Sequence, residues 1–134
     1  MNTLSKLGAF AVIFNQSQQV MLCHRRDQHL WNLPGGGVEP GELPEQAIIR
    51  EIHEEIGCNA EIKSLVGIYH KPEQNEIVFQ YIAVITNGTP SLSDECDAIE
   101  YFDIDKLPAN TAMRQVQRIR DAAQFVSELF FRVQ

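Results

Sequence analysis

The stretch from Leu33 to Cys58, LPGGGVEPGELPEQAIIREIHEEIGC, constrains this chain more than any other. Three consecutive glycines, Gly35, Gly36 and Gly37, read as a turn that leads through Gly41-Glu42 into a segment with helical periodicity. Ile48, Ile52 and Ile56 recur every fourth residue and make one apolar stripe, and Gly57 stops the pattern, which predicts a helix over Leu43–Ile56. Each helical residue turns about 100°, so Glu51, Glu54 and Glu55 fall within roughly 100° of one another on a rim beside that stripe. Like charges four apart mildly destabilise an isolated helix, and three carboxylates held together invite a counter-charge. Arg50, four before Glu54, supplies part of it and leaves room for a cation. All-oxygen ligands suit hard ions such as Mg²⁺ or Mn²⁺ rather than Zn²⁺. Taken alone, an E-x-x-E-E run reads as a solvated acidic face. The glycines before it change that reading, because they permit φ > 0 and close approach of backbone to a ligand, and the helix N-terminus beyond them favours anions.

The rest of the chain alternates strand and turn signals. Gly8–Phe14 is an apolar run suited to a buried strand, Asn15-Gln16-Ser17-Gln18 a turn, and Gln19–His24 a returning strand. Trp31–Leu33 reads as a short extended piece, since Pro34 disfavours helix at its predecessor. Glu61–Tyr69 and Glu76–Thr86 are predicted strands, Asn87-Gly88-Thr89-Pro90 a turn, and Ala98–Phe102 a short strand. Val116, Ile119, Ala123, Val126 and Phe130 space out as one face of an amphipathic helix over Gln115–Phe130. Mixed strands with two main helices imply a sheet covered by helices.

At 134 residues the chain has the length for one sizeable core, so a single domain over 1–134 is expected. A net charge of −7 argues against long nucleic acid, which needs clustered Lys and Arg. It does not exclude a small anion bound through metal. Cys23, Cys58 and Cys96 show no metal-like spacing, and three cysteines suit a reducing compartment better than a disulfide framework. The opening MNTLSKLGAF holds too short an apolar stretch for a signal peptide. No segment approaches the roughly 20 apolar residues of a membrane span, so no membrane partner and a cytoplasmic location are expected.

The signature G-x5-E-x7-R-E-U-x-E-E-x-G-U, with U apolar, reads here Gly36, Glu42, Arg50, Glu51, Ile52, Glu54, Glu55, Gly57, Cys58. In this, and in the upstream RRDQHLWNLPGG, the chain resembles Nudix hydrolases. Only Cys58 departs from the usual bulkier aliphatic, and it behaves as a small hydrophobe. The resemblance implies an α/β fold, an α/β/α sandwich with a mixed sheet. It implies Mg²⁺, with Mn²⁺ as a substitute, held by Glu54 and Glu55, by Glu51 directly or through water, and by the backbone carbonyl of Gly35. Arg50 would orient a metal-binding glutamate, and Glu42 would support the loop or a second metal shell. Family members place the general base on the signature helix or on a later loop. Glu51 is therefore a base candidate and Glu95 a candidate for the base or an extra metal ligand, with Glu100 a lesser rival and a plain solvated acidic loop the alternative for Glu95.

The implied reaction is metal-dependent hydrolysis of a pyrophosphate bond in a nucleoside diphosphate linked to X. A (deoxy)nucleoside triphosphate giving monophosphate and pyrophosphate leads. A nucleotide sugar, ADP-ribose or a dinucleoside polyphosphate is the nearest competitor, and a catalytically silent nucleotide sensor is the competitor of another class. For substrate contacts, Arg25 and Arg26 would reach phosphates or serve as surface charge. Trp31 or Phe79 would stack on a base or pack in the core. Asn110 would read a purine edge, as in MutT-like members, or, with Thr111, cap the last helix. His24, His29, His53 and His70 read as surface or packing residues. The partner is then a small nucleotide, and the chain a monomer or homodimer.

Overall fold

The computed structural model describes residues 5–134, so the first four residues of the N-terminal segment lie outside the described residues. The strands are β1 (Lys6–Val12), β2 (Val20–Arg25), β3 (Leu30–Asn32), β4 (Gly35–Gly37), β5 (Asn59–Lys71), β6 (Glu76–Asn87), β7 (Ala98–Phe102) and β8 (Phe130–Val133). The helices are α1 (Pro44–Ile56) and α2 (Met113–Gln124). A five-stranded mixed sheet runs β4-β1-β6-β5-β8, and a three-stranded antiparallel sheet runs β3-β2-β7. In the larger sheet β1 is parallel to β6 and β8 to β5, while β1–β4 and β5–β6 are antiparallel.

Strand alternation places the two helices. Ala9 and Ala11 of β1 belong to the core that holds Ala47, Ile48, Ile52 and Ile56 of α1. Phe10 and Val12, pointing the other way, join the core that holds Ile119 and Ala122 of α2. The mixed sheet is thus flanked by a helix on each face, as expected. Ile48, Ile52 and Ile56 are fully buried, each contributing about 1.5–3 kcal/mol.

Two expectations are corrected. The glycine run forms a strand, with Gly35 opposite Phe10 and Gly37 opposite Gly8, because residues without side chains fit a tight edge beside β1. The second helix ends at Gln124, not Phe130. Ala123 and Val126, assigned to its apolar face, are exposed, and the chain turns so that residues 130–133 pair with Gly67–His70 of β5. The inward face of α2 is largely polar instead: Gln115, Arg118 and Asp121 are buried with Ile119. Strand ends elsewhere move by one or two residues, within ordinary fraying.

Asp121 shows how that polar face is held. Its carboxylate accepts from Tyr69 Oη at 2.8 Å, Arg132 Nε at 2.6 Å and Nη2 at 2.7 Å, and Gln117 Nε2 at 2.9 Å. Although burial opposes its charge, these donors keep the carboxyl below its usual range. Asp121→Ala orphans a buried phenol and an arginine, so a loss of about 3 kcal/mol is expected. Chemical denaturation will read it, with turnover per folded molecule unchanged.

Candidate active site

Chain geometry at the start of α1 brings backbone and carboxylates together. Leu43 N–H donates to Gln46 Oε1 at 2.9 Å, closing the first turn, and Gly57 caps the end in a left-handed conformation. Glu55, only 3% exposed, accepts the N–H of Gly35 through Oε2 at 2.9 Å. The link between β3 and β4 is pinned from the other helix, since Leu33 N–H donates to Gln115 Oε1 at 2.6 Å. Gly35 has φ +151, and a Cβ there would collide with the carbonyl oxygen of Ala9. At Gly36 a Cβ would stand 2.8 Å from the carboxyl carbon of Glu51. Gly36→Ala is therefore expected to displace Glu51 and cut turnover at least about tenfold while leaving the melting temperature nearly unchanged, because a side-chain end can shift where backbone cannot. Steady-state kinetics beside a thermal melt will separate the two effects.

The third carboxylate arrives from the loop before β7. Glu51, Glu55 and Glu95 each offer an oxygen, all within 4.8 Å of one another. The loop is fixed by reciprocal backbone bonds between Ser93 and Cys96, 3.0 and 3.2 Å, and by Asp97 N–H donating to His24 O at 3.0 Å. The Asp97 carboxylate pairs with His24 Nδ1 at 2.7 Å and Arg26 Nε at 3.1 Å, which holds it below its usual range. Behind it Cys23 and Cys96 are buried in the α1 core, where the Cys96 thiol donates to Ala98 O at 3.3 Å. Burial pushes the Glu55 carboxyl up to about 8; Gly35 N–H opposes this, while Glu51 and Glu95 add to it. Desolvation also raises Glu51, against the pull of Arg50. Three converging carboxylates, one of them buried, fit a hard divalent cation as counter-charge.

Arg50 organises the surrounding charge. It donates to Glu42 through Nε at 2.8 Å and Nη2 at 3.0 Å, to Glu51 through Nη1 at 2.8 Å, to Glu54 at 3.1 Å and to the Gly37 carbonyl at 3.0 Å. Hydrogen bonding from Arg50 holds the Glu42 carboxyl at about 2. Glu42 also accepts Glu39 N–H at 3.0 Å, so it braces the loop. Glu54 is half-exposed and turned to Arg50, outside the trio.

The remaining candidates separate. Arg25 lies close enough for its charge to act on Glu55 and Glu95, and it also bonds Asp27. Arg26 is exposed and turns to Asp97. Trp31 is half-buried, edge-on to His24 and Phe102 at centroid separations of 5.2 and 5.0 Å. Phe79 packs against the α1 core. Asn110 does not cap α2: its Nδ2 donates to His29 O at 3.1 Å and its carbonyl accepts Trp31 N–H at 3.0 Å, stitching two loops together. Thr111 bonds Pro108 O, and the N-cap is Ala112 with no side-chain bond. Glu100 is exposed on β7. His29, His53 and His70 are exposed, as expected. Sequence reading missed the His24–Asp97 tie and the Gln115 anchor. Both link residues more than seventy positions apart, and no local spacing signals them.

A family profile described as NUDIX domain matches residues 4–122. A Bacillus subtilis protein with the provisional name of an 8-oxo-dGTP diphosphatase is 36% identical over 125 residues, 90% of this chain and 83% of that protein. An ADP-ribose pyrophosphatase of Methanocaldococcus jannaschii is 33% identical over 103 residues, 72% of this chain and 61% of its own length. Among solved structures, a MutT NUDIX hydrolase from Burkholderia pseudomallei superposes with a TM-score of 0.78 at 26% identity, covering 89% of this chain and 98% of that one. A NUDIX hydrolase from Nitrosomonas europaea has the same fold, with a TM-score of 0.84 at 19% identity over 100% of this chain and 81% of its own. The chain belongs to the Nudix family, and it is an enzyme of that family's pyrophosphohydrolase class.

Proposed function

We propose that this enzyme hydrolyses a (deoxy)nucleoside triphosphate to the monophosphate and pyrophosphate, with Mg²⁺, or Mn²⁺ in its place, at the carboxylate trio. The observation that carries this reading is the convergence of Glu51, Glu55 and Glu95 beside the glycine strand. Glu51 and Glu55 would hold the ion on the helix, with the Gly35 carbonyl and a reoriented Glu54 completing its shell. A divalent ion there would neutralise phosphate charge and lower the pKa of the attacking water. Glu95, the exposed member on a loop, would take the proton from that water, and Arg25 would meet the phosphates. Arg26, Trp31 and Asn110 would line the approach. The triphosphate is favoured over ADP-ribose because the Bacillus relative aligns over more of both chains than the ADP-ribose relative does.

The test is hydrolysis of a panel with and without Mg²⁺: normal and oxidised triphosphates, nucleotide sugars, ADP-ribose and dinucleoside polyphosphates, with products identified by mass. Triphosphates as best substrates, yielding pyrophosphate, are expected. Preference for ADP-ribose would replace the substrate and keep the site. Binding of nucleotide without cleavage of any panel member would replace the enzyme reading with a sensor.

A further inference from the structure

We propose that β8 seats a two-fold dimer, pairing antiparallel with β8 of a second copy of this chain in the register that sets Phe131 against Phe131 of that copy. β8 is the last strand of the larger sheet, with only β5 beside it among the described residues. Gln134 N–H donates to His70 O at 2.8 Å. By alternation Phe130 and Arg132 also turn their backbone groups to β5, and Phe131 and Val133 turn theirs to the open edge. Such an edge is a template for another strand.

The side chains alternate the same way. Phe130 and Arg132 face α2, with the Arg132 guanidinium over the Phe130 ring at 5.2 Å and bonded to Asp121. Phe131 and Val133 face the other side, where they are 71 and 75% exposed, and Leu129, just before the strand, is 38% exposed. Behind Phe131 in the same row lie Ile68 and Phe79, so the strip is continuous with apolar sheet surface. Edges kept free of partners carry charged side chains, proline or a bulge; residues 129–133 have no lysine or proline, and their one charge, Arg132, is committed to Asp121.

Self-complementarity identifies the occupant. Apolar residues oppose apolar ones when Phe131 faces either Phe131 or Val133 of the second copy. The second choice sets Arg132 against Arg132, a destabilising like-charge pair. The first sets Leu129 against Val133 and the Phe130 ring against Arg132, reproducing between copies a contact each chain already makes. It also brings Glu128 opposite Gln134, whose carbonyl accepts from Arg114 at 3.2 Å. Two hollows flank this edge: one of about 400 Å³ containing Glu128, and one of about 470 Å³ containing Arg114 and Arg132. The two-fold sets the acidic hollow of one copy against the basic hollow of the other.

Sedimentation equilibrium of the full chain tests the dimer, and thiol cross-linking tests the register. A mass near twice the 15.2 kDa chain is expected. Phe131→Glu is expected to halve it with turnover per chain and circular dichroism unchanged. Phe131→Cys should cross-link to itself on oxidation, since opposed positions lie about 5.5 Å apart at Cα. Val133→Cys should not, yet should cross-link when mixed with Leu129→Cys; the native cysteines are buried. A monomer at every concentration overturns the proposal. So does a dimer that survives Phe131→Glu, or one in which Phe131→Cys stays uncoupled or Val133→Cys couples to itself.

Discussion

Glu55→Gln is expected to lower turnover by about 10²-fold or more, the several kcal/mol that a divalent ion supplies, while making the metal-free protein less sensitive to pH. The wild-type carboxyl is buried with one N–H donor and two neighbouring carboxylates, and it titrates at about 8 against an ordinary 4.5. Between those values the folded chain keeps a proton that the unfolded chain has released. Stability therefore falls as pH rises through this window, by at most about 1.4 kcal/mol per pH unit. Glutamine has no proton to release, so the variant loses that slope. A divalent cation, by binding the folded state, opposes the fall in wild type most strongly toward pH 8. Urea denaturation across this pH range, with and without Mg²⁺, reads both effects. Identical slopes in wild type and variant would remove Glu55 from the charged centre.

How far this site was legible depends on where its information lies. The helix, its apolar stripe and its acidic rim repeat within a few residues, so Ile48, Ile52 and Ile56 declared a core face and Glu51 and Glu55 a shared rim. Periodicity alone cannot say which carboxylate turns inward. Glu54 sits on the same rim, yet Arg50 draws it outward and Glu95 takes the third place in the trio. The second helix misled for a related reason: Gln115, Arg118 and Asp121 face the sheet through partners such as Leu33 and Tyr69, and a polar residue reads as exposed until its partner is known. Val126 and Phe130 kept helical spacing, but the open edge of β5 recruited the chain end as a strand. The glycine strand was legible as a place of close approach and not as a strand, because glycine carries no strand propensity.

Arg50→Gln is expected to be as damaging as loss of a ligand, although Arg50 itself carries the wrong charge to hold a cation. One guanidinium joins Glu42, Glu51, Glu54 and the Gly37 carbonyl. It fixes the rim of α1 against the glycine strand and leaves the second oxygen of Glu51 uncommitted. Breaking the partly buried Arg50–Glu51 bond alone costs about 2 kcal/mol. Letting Glu51 swing by about 1 Å costs roughly 10²-fold in rate, so the half-saturating Mg²⁺ concentration should rise together with the fall in turnover. Lysine should restore little, because a single ammonium lacks the planar fork that reaches four partners at once. The acid limb supplies a second readout. Glu42, held at about 2 by Arg50, contributes stability above its ordinary pKa that is lost as pH falls toward 2. Without Arg50 its carboxyl returns toward the ordinary range and that contribution vanishes. Titration of Glu42 by NMR beside metal-dependent kinetics checks both links. Normal turnover with a displaced Glu42 titration would confine Arg50 to bracing the loop and leave the alignment of Glu51 to Gly36.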